Sequence, residues 1–172
     1  MGFELCNPDD EKLVRHADAL VIGVSLVIDN HSNWPAGTRW SIGFGLQGGY
    51  AIYLLARNRS LAGNRVMFMS TFTRPEPTLV DKLLPHNPGF TLKHVIDLCV
   101  RLGRLGYQDP QGTGSQWWIH TFIMDLVGEG YLKLDPVSAT LGEHWNKAYC
   151  LDEFDGRLLS IPATFTKGYL PQ

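Results

Sequence analysis

Apolar and polar positions divide the chain into a front half with strand spacing and a rear half with helical spacing. Residues 19–30, ALVIGVSLVIDN, form a Val- and Ile-rich run that stops at Asp29 and Asn30, the pattern of a central strand. After the loop HSNWPAGT, residues 38–47 (TRWSIGFGLQ) alternate large apolar with small or polar side chains. Gly48 and Gly49 then supply the positive φ of a tight turn before YAIYLLARN. These two runs predict a β-hairpin. The run NRVMFMSTFTR, with Val66 and Phe68 alternating against Met67 and Met69, should extend the same antiparallel sheet.

Between Arg74 and Gly89 stand Pro75, Pro77, Pro85 and Pro88, so no single regular element is expected there; the stretch reads as a surface excursion with a short helix near TLVDKLL. Thr91 caps a helix predicted to run to about Leu105 and stop at Gly106, with Val95, Leu98, Cys99 and Leu102 at helical spacing. A helix from Ser115 to the Gly128/Gly130 breaks, SQWWIHTFIMDLVGEG, is apolar around most of its circumference and should be the central, buried helix. In DPVSATLGEHWNKAYC, Asp135 reads as the cap and Pro136 as the first turn of a last helix, and the tail from Arg157 to Gln172 as extended or irregular. The fold class expected is α+β, an antiparallel sheet packed on a central buried helix, as one domain over residues 1–172.

Composition narrows the partners. The 172 residues are 44% hydrophobic and 11% aromatic, enough apolar surface for one core. The 15 basic and 17 acidic residues are interspersed and give a net charge of -2, without the basic run that tracking phosphates requires, so nucleic acid is not an expected partner. The longest apolar run, residues 19–28, is about half the length of a bilayer-crossing helix, and the opening residues hold no apolar stretch of leader length. No membrane span and a cytoplasmic location are therefore expected. Cys6, Cys99 and Cys150 are odd in number and in no ligand spacing, which fits a reducing compartment. A homodimer is compatible with the chain, but no residue argues for it.

There is no P-loop, no GxGxxG after a strand, no HExxH and no CxxC pair, so neither a metal nor a cofactor is expected. GFGLQGG lies inside a hairpin, with no helix N-terminus behind it to receive an anion.

Two short motifs stand out: Thr38-Arg39-Trp40 on a strand and GTGSQWW, Gly112 to Trp118, opening a helix. Their layout resembles the circularly permuted papain-like proteins, including NlpC/P60-type and lecithin-retinol-acyltransferase-type domains, where a strand histidine precedes a cysteine at a helix start. It is similar, too, to a fungal family whose members read NHW on the strand and GCRxW at the helix. The resemblance spans roughly residues 21–132. It puts Arg39 at the histidine position and Ser115 at the cysteine position, so it implies a hydrolase scaffold without its catalytic pair. Arginine stays protonated and cannot serve as base, and a serine hydroxyl without a strong base is a poor nucleophile.

What the two motifs leave is an aromatic cleft with hydrogen-bond donors. Arg39, Trp40, Trp118 and His120 are the candidate catalytic side chains, with Ser115, Gln116, Trp117, Trp34 and His31 as candidate substrate contacts. A fixed guanidinium or indole N–H aimed at a carbonyl stabilises developing charge, and aromatic walls hold a flexible apolar molecule in a reactive shape. Together with the resemblance, this points to a cofactor-independent cyclase or isomerase, of the pericyclase or Diels–Alderase kind, acting on a small apolar terpenoid or polyketide intermediate of fungal secondary metabolism. A non-catalytic binding protein would need the same pocket. Residual serine-dependent hydrolase or acyltransferase activity is a third reading; His120 follows Ser115 by five residues, which sets it well around the helix axis from the hydroxyl it would have to activate. Packing is the competing role for each tryptophan, an acidic neighbour the competing partner for Arg39, and His144-Trp145 read as packing.

Overall fold

The structure, a computed structural model, describes residues 10–29, 38–58, 66–71, 74, 78–104, 115–152 and 154–162. It is α+β. A short helix α1 (Asp10–Arg15) sends Leu13 into the core and leads to β1 (Val21–Asp29), β2 (Arg39–Leu46), β3 (Tyr50–Asn58), β4 (Val66–Thr71) and β5 (Thr78–Leu83). These strands form one antiparallel sheet in the order β4-β3-β2-β1-β5, so the run read as a central strand has a partner on each side. Helices α2 (Leu92–Arg101), α3 (Ser115–Gly128) and α4 (Leu134–His144) follow, then a two-stranded ribbon of β6 (Lys147–Leu151) and β7 (Leu158–Pro162). Among the described residues no helix is long and apolar enough to cross a membrane.

The expected β2–β3 hairpin forms as read: Leu46 pairs with Tyr50, and Gly48 and Gly49 take φ of 101° and 85° in the turn, values an L side chain adopts only at a cost. Cross-strand register then builds the core face. Leu26 lies opposite Ile42 and Ile42 opposite Leu54, while Val24, Phe44 and Ile52 form the next row. All six are at most 1% exposed. Helix α3 packs on this face against β2 and β3 through Ile119, Phe122, Ile123 and Leu126, each fully buried. This spacing of three and four residues is one stripe of a helix. Trp117, His120 and Met124 make a second stripe, half-buried and turned toward α4. Gly130, at φ 77°, ends the helix with Tyr131 N–H reaching back to the Leu126 carbonyl at 2.9 Å, the closure expected of a glycine stop.

Three boundaries differ from the sequence expectation. TLVDKLL is not helical: β5 pairs antiparallel with β1, Ile28 opposite Val80 and Ser25 opposite Leu83, because the open edge of β1 offers backbone partners that a seven-residue helix would lack. Thr91 does cap α2, its hydroxyl accepting from His94 N–H while its own N–H donates to His94 Nδ1, but the helix stops at Arg101, with Gly103 left-handed at φ 64°. The cap of α4 is Lys133, without a side-chain hydrogen bond, so Asp135 and Pro136 fall within the first turn. That helix closes at His144, where Asn146 turns the chain at φ 58° into β6.

Candidate functional site

Successive residues of a strand project to opposite faces, and this separates the two residues of the strand motif. Trp40 points to the core face with Ile42 and Phe44 and is fully buried. Arg39 points to the other face, where it meets its cross-strand partner Asp29. Two nitrogens of the guanidinium engage the carboxylate, Nη2 to Oδ1 at 3.0 Å and Nε to Oδ2 at 3.2 Å, with the side chains 11% and 0% exposed. The single cleft expected to hold both Arg39 and Trp40 is therefore corrected: the two lie on opposite sides of the sheet. Arg39 does pair with an acidic neighbour, and the pair is buried, not at a rim.

Trp118 belongs to the core. It is 2% exposed, stacks on Phe122 at 5.4 Å, and donates its indole N–H to the Arg104 carbonyl at 2.9 Å. Arg104 in turn grips Asp125 through two bonds of 2.6 and 2.8 Å, fastening the end of α2 to α3. Truncating so buried a ring costs about 3–5 kcal/mol, so Trp118→Ala reads out folding before it reads out chemistry. Gln116, fully buried, donates its amide N–H to the His144 carbonyl. Ser115 is the first residue of α3, and His31 and Trp34 lie outside the described residues.

The expected residues that do meet at an accessible surface are Trp117 and His120, and the side chain joining them is Trp145. Its ring lies 4.6 Å from His120, 6.1 Å from Trp117 and 6.4 Å, edge-on, from Trp40. Trp145 thus links the start of β2 to the start of α3. His120, Met124, Ser138, Leu141, Gly142 and Trp145 line a groove of about 510 Å³ between α3 and α4, within the roughly 300–1,000 Å³ usual for a small-molecule site. Burial pushes the His120 imidazole below its ordinary 6.5, so at neutral pH it is uncharged and able both to accept and to donate a hydrogen bond.

A buried network sets the position of Trp145. His144 Nδ1 meets the Tyr149 hydroxyl at 2.5 Å, while Tyr149 N–H donates to Thr38 Oγ1 at 2.8 Å and its carbonyl accepts from the same hydroxyl at 3.2 Å. β6, the end of α4 and the start of β2 are thereby joined beside the groove. Sequence reading takes His144 and Trp145 for packing, names Thr38 and Asp29 only as parts of their strands, and does not single out Tyr149. Only Asp29 left a signal, as the last polar residue of a strand whose neighbour opens on Arg39.

Residues 24–155 match the model of a family described as a domain of unknown function, DUF7770, and the chain belongs to that family. No curated protein and no solved structure matches it.

Proposed function

We propose that this member of the DUF7770 family binds a small apolar molecule in the groove between α3 and α4 and cyclises or isomerises it without a cofactor, in the cytoplasm. The observation that carries the reading is His120, a neutral imidazole set into an aromatic wall between Trp117 and Trp145. Indole faces hold an apolar chain in a folded shape, and an uncharged imidazole in a partly desolvated site can take a proton from one carbon and return it to another, or polarise a carbonyl. A terpenoid or polyketide intermediate fits that chemistry. A permuted papain-like scaffold is part of the same proposal, supported by the packing of α3 on an antiparallel sheet whose motif strand precedes it in the chain.

A second reading, binding without reaction, is favoured by one observation: Arg39, Trp40 and Trp118, three of the four side chains expected to act on substrate, are committed to a buried ion pair or to the core. One experiment separates the two. The gene is deleted, the accumulating small molecules are extracted, and purified protein is added back under mass spectrometry. Conversion of an apolar intermediate to an isomer of equal mass supports the enzyme, and His120→Gln should then slow it by about 10²-fold or more. Because the imidazole must be neutral to accept a proton and burial lowers its pKa, the acid limb of kcat should fall below pH 6.5. An intermediate that binds, tightly and unchanged, sinks the enzyme in favour of the binding protein.

A further inference from the structure

The residues around Trp145 hold three buried polar atoms without a hydrogen-bond partner among the described residues: Trp40 Nε1–H, Gln116 Oε1 and His144 Nε2. The Trp40 indole Nε1–H and the Gln116 side-chain oxygen Oε1 are both fully buried, and neither has a hydrogen-bond partner among the described residues. Gln116 directs its amide nitrogen at the His144 carbonyl, which fixes the oxygen to the other side. Trp40 meets Trp145 edge-on, and His144 is the residue before Trp145. One buried donor and one buried acceptor thus belong to residues that touch the His144–Trp145 turn, one through the Trp145 ring and one through the His144 carbonyl. Leaving such groups unmatched costs free energy, which makes them selective for a ligand that matches them.

Trp145 itself is placed to uncover them. It is not inside a helix or strand but at the C-cap of α4, with extended backbone (φ -63°, ψ 138°), followed by left-handed Asn146. Element-terminal positions of this kind are where a chain absorbs a rotation at least cost.

We propose that the groove continues behind Trp145 to a polar end formed by Trp40 Nε1–H and Gln116 Oε1, and that its ligand is an apolar molecule carrying a hydroxyl. A hydroxyl can satisfy both atoms at once, its oxygen accepting from the indole and its O–H donating to the amide oxygen. This rests on the reading of the groove as a small-molecule site, and it adds the class of molecule.

The test uses the full chain, ¹⁵N-labelled, and two probes of equal shape, 2-naphthol and 2-methylnaphthalene. Indole N–H and backbone signals are followed by NMR, with Trp40 assigned from Trp40→Phe and the affinities taken from the same titrations. The expected result is tenfold or tighter binding of the naphthol, a shift of the Trp40 N–H with the naphthol alone, and a preference reduced below threefold in Trp40→Phe and in Gln116→Leu. Equal binding of both probes, with shifts at His120 and Trp145 but none at Trp40 N–H, overturns the polar end and leaves the groove. A Trp40 N–H already held by a resident water would give that result. Absence of shifts at the groove residues with either probe sinks the groove reading and the polar end together. The wild-type titrations decide the matter even if either variant fails to fold.

Discussion

Asp29 and Arg39 illustrate how a charged pair can dominate its surroundings without touching a substrate. Both are removed from water, and a buried carboxylate is tolerated only while its cation is present. Arg39→Ala should therefore destabilise the protein by about 3–5 kcal/mol, seen as a lower urea midpoint, whereas the double change Asp29→Leu/Arg39→Met should recover most of that loss. A single variant that loses less than about 1 kcal/mol would mean that water reaches the pair. The double variant also keeps catalysis and folding apart: activity that survives in it removes Arg39 from the reaction. Cys99 is inert for a related reason. Burial pushes its thiol up to about 12, so the thiolate is scarce at any working pH.

At the scale of the element, α4 carries a feature that can be used as a probe. Gly142 lies within the helix, lines the groove, and has open space where a Cβ would stand. Gly142→Ala should raise stability by roughly 0.5–1 kcal/mol through helix propensity alone. Gly142→Phe should leave the fold intact and fill the groove, lowering the affinity of any ligand bound there by tenfold or more in a calorimetric titration. Unchanged affinity would place the ligand elsewhere.

The elements that sequence reading recovered are those whose signal is local. The β2–β3 hairpin rests on two adjacent glycines, α2 on the Thr91 cap, and α3 on its apolar spacing and glycine stop. β5 escaped because a seven-residue stretch that mixes Leu and Val with Thr78, Asp81 and Lys82 is too short to show a period of its own; what made it a strand is the edge of β1, some fifty residues earlier in the chain. The end of α4 is not placed by the sequence reading, although Asn146, a residue type that tolerates left-handed backbone, stands there to mark it. The site suffered from a different fault. Arg39 and Trp40 are neighbours in sequence, and the period of two along a strand assigns them to opposite faces, so grouping them in one cleft set aside a rule already in use for Phe44 and Ile42. Trp145 could not be found from spacing, since it reaches Trp117 and Trp40 only after α4 has packed.

For the molecule as a whole, the network through Thr38, Gln116, His144 and Tyr149 joins sheet, central helix, last helix and ribbon, and it makes stability depend on pH. Burial lowers the His144 pKa from 6.5, opposed by Glu143 Oε1 at 3.9 Å and assisted by Lys82 and Lys147; burial also lowers that of His120. Since the unfolded chain binds these protons first, stability is fully present above pH 6.5 and lost as pH falls through the lowered values. Urea midpoints should drop between pH 7 and pH 5, and the drop should shrink in His144→Gln. An unchanged slope in that variant would assign the dependence to other groups.

The grouping of Trp40, Trp117 and Trp145 around one indole has an optical consequence. Rings with centroids 6.1 and 6.4 Å apart exchange excitation faster than they emit, so light absorbed by any of the three is shared among them. His120 stands beside the shared ring at 4.6 Å, where a protonated imidazole would drain that excitation and a neutral one would spare it. The emission of the native chain should therefore report the protonation state of His120 and the arrival of any ligand against Trp145, without a label.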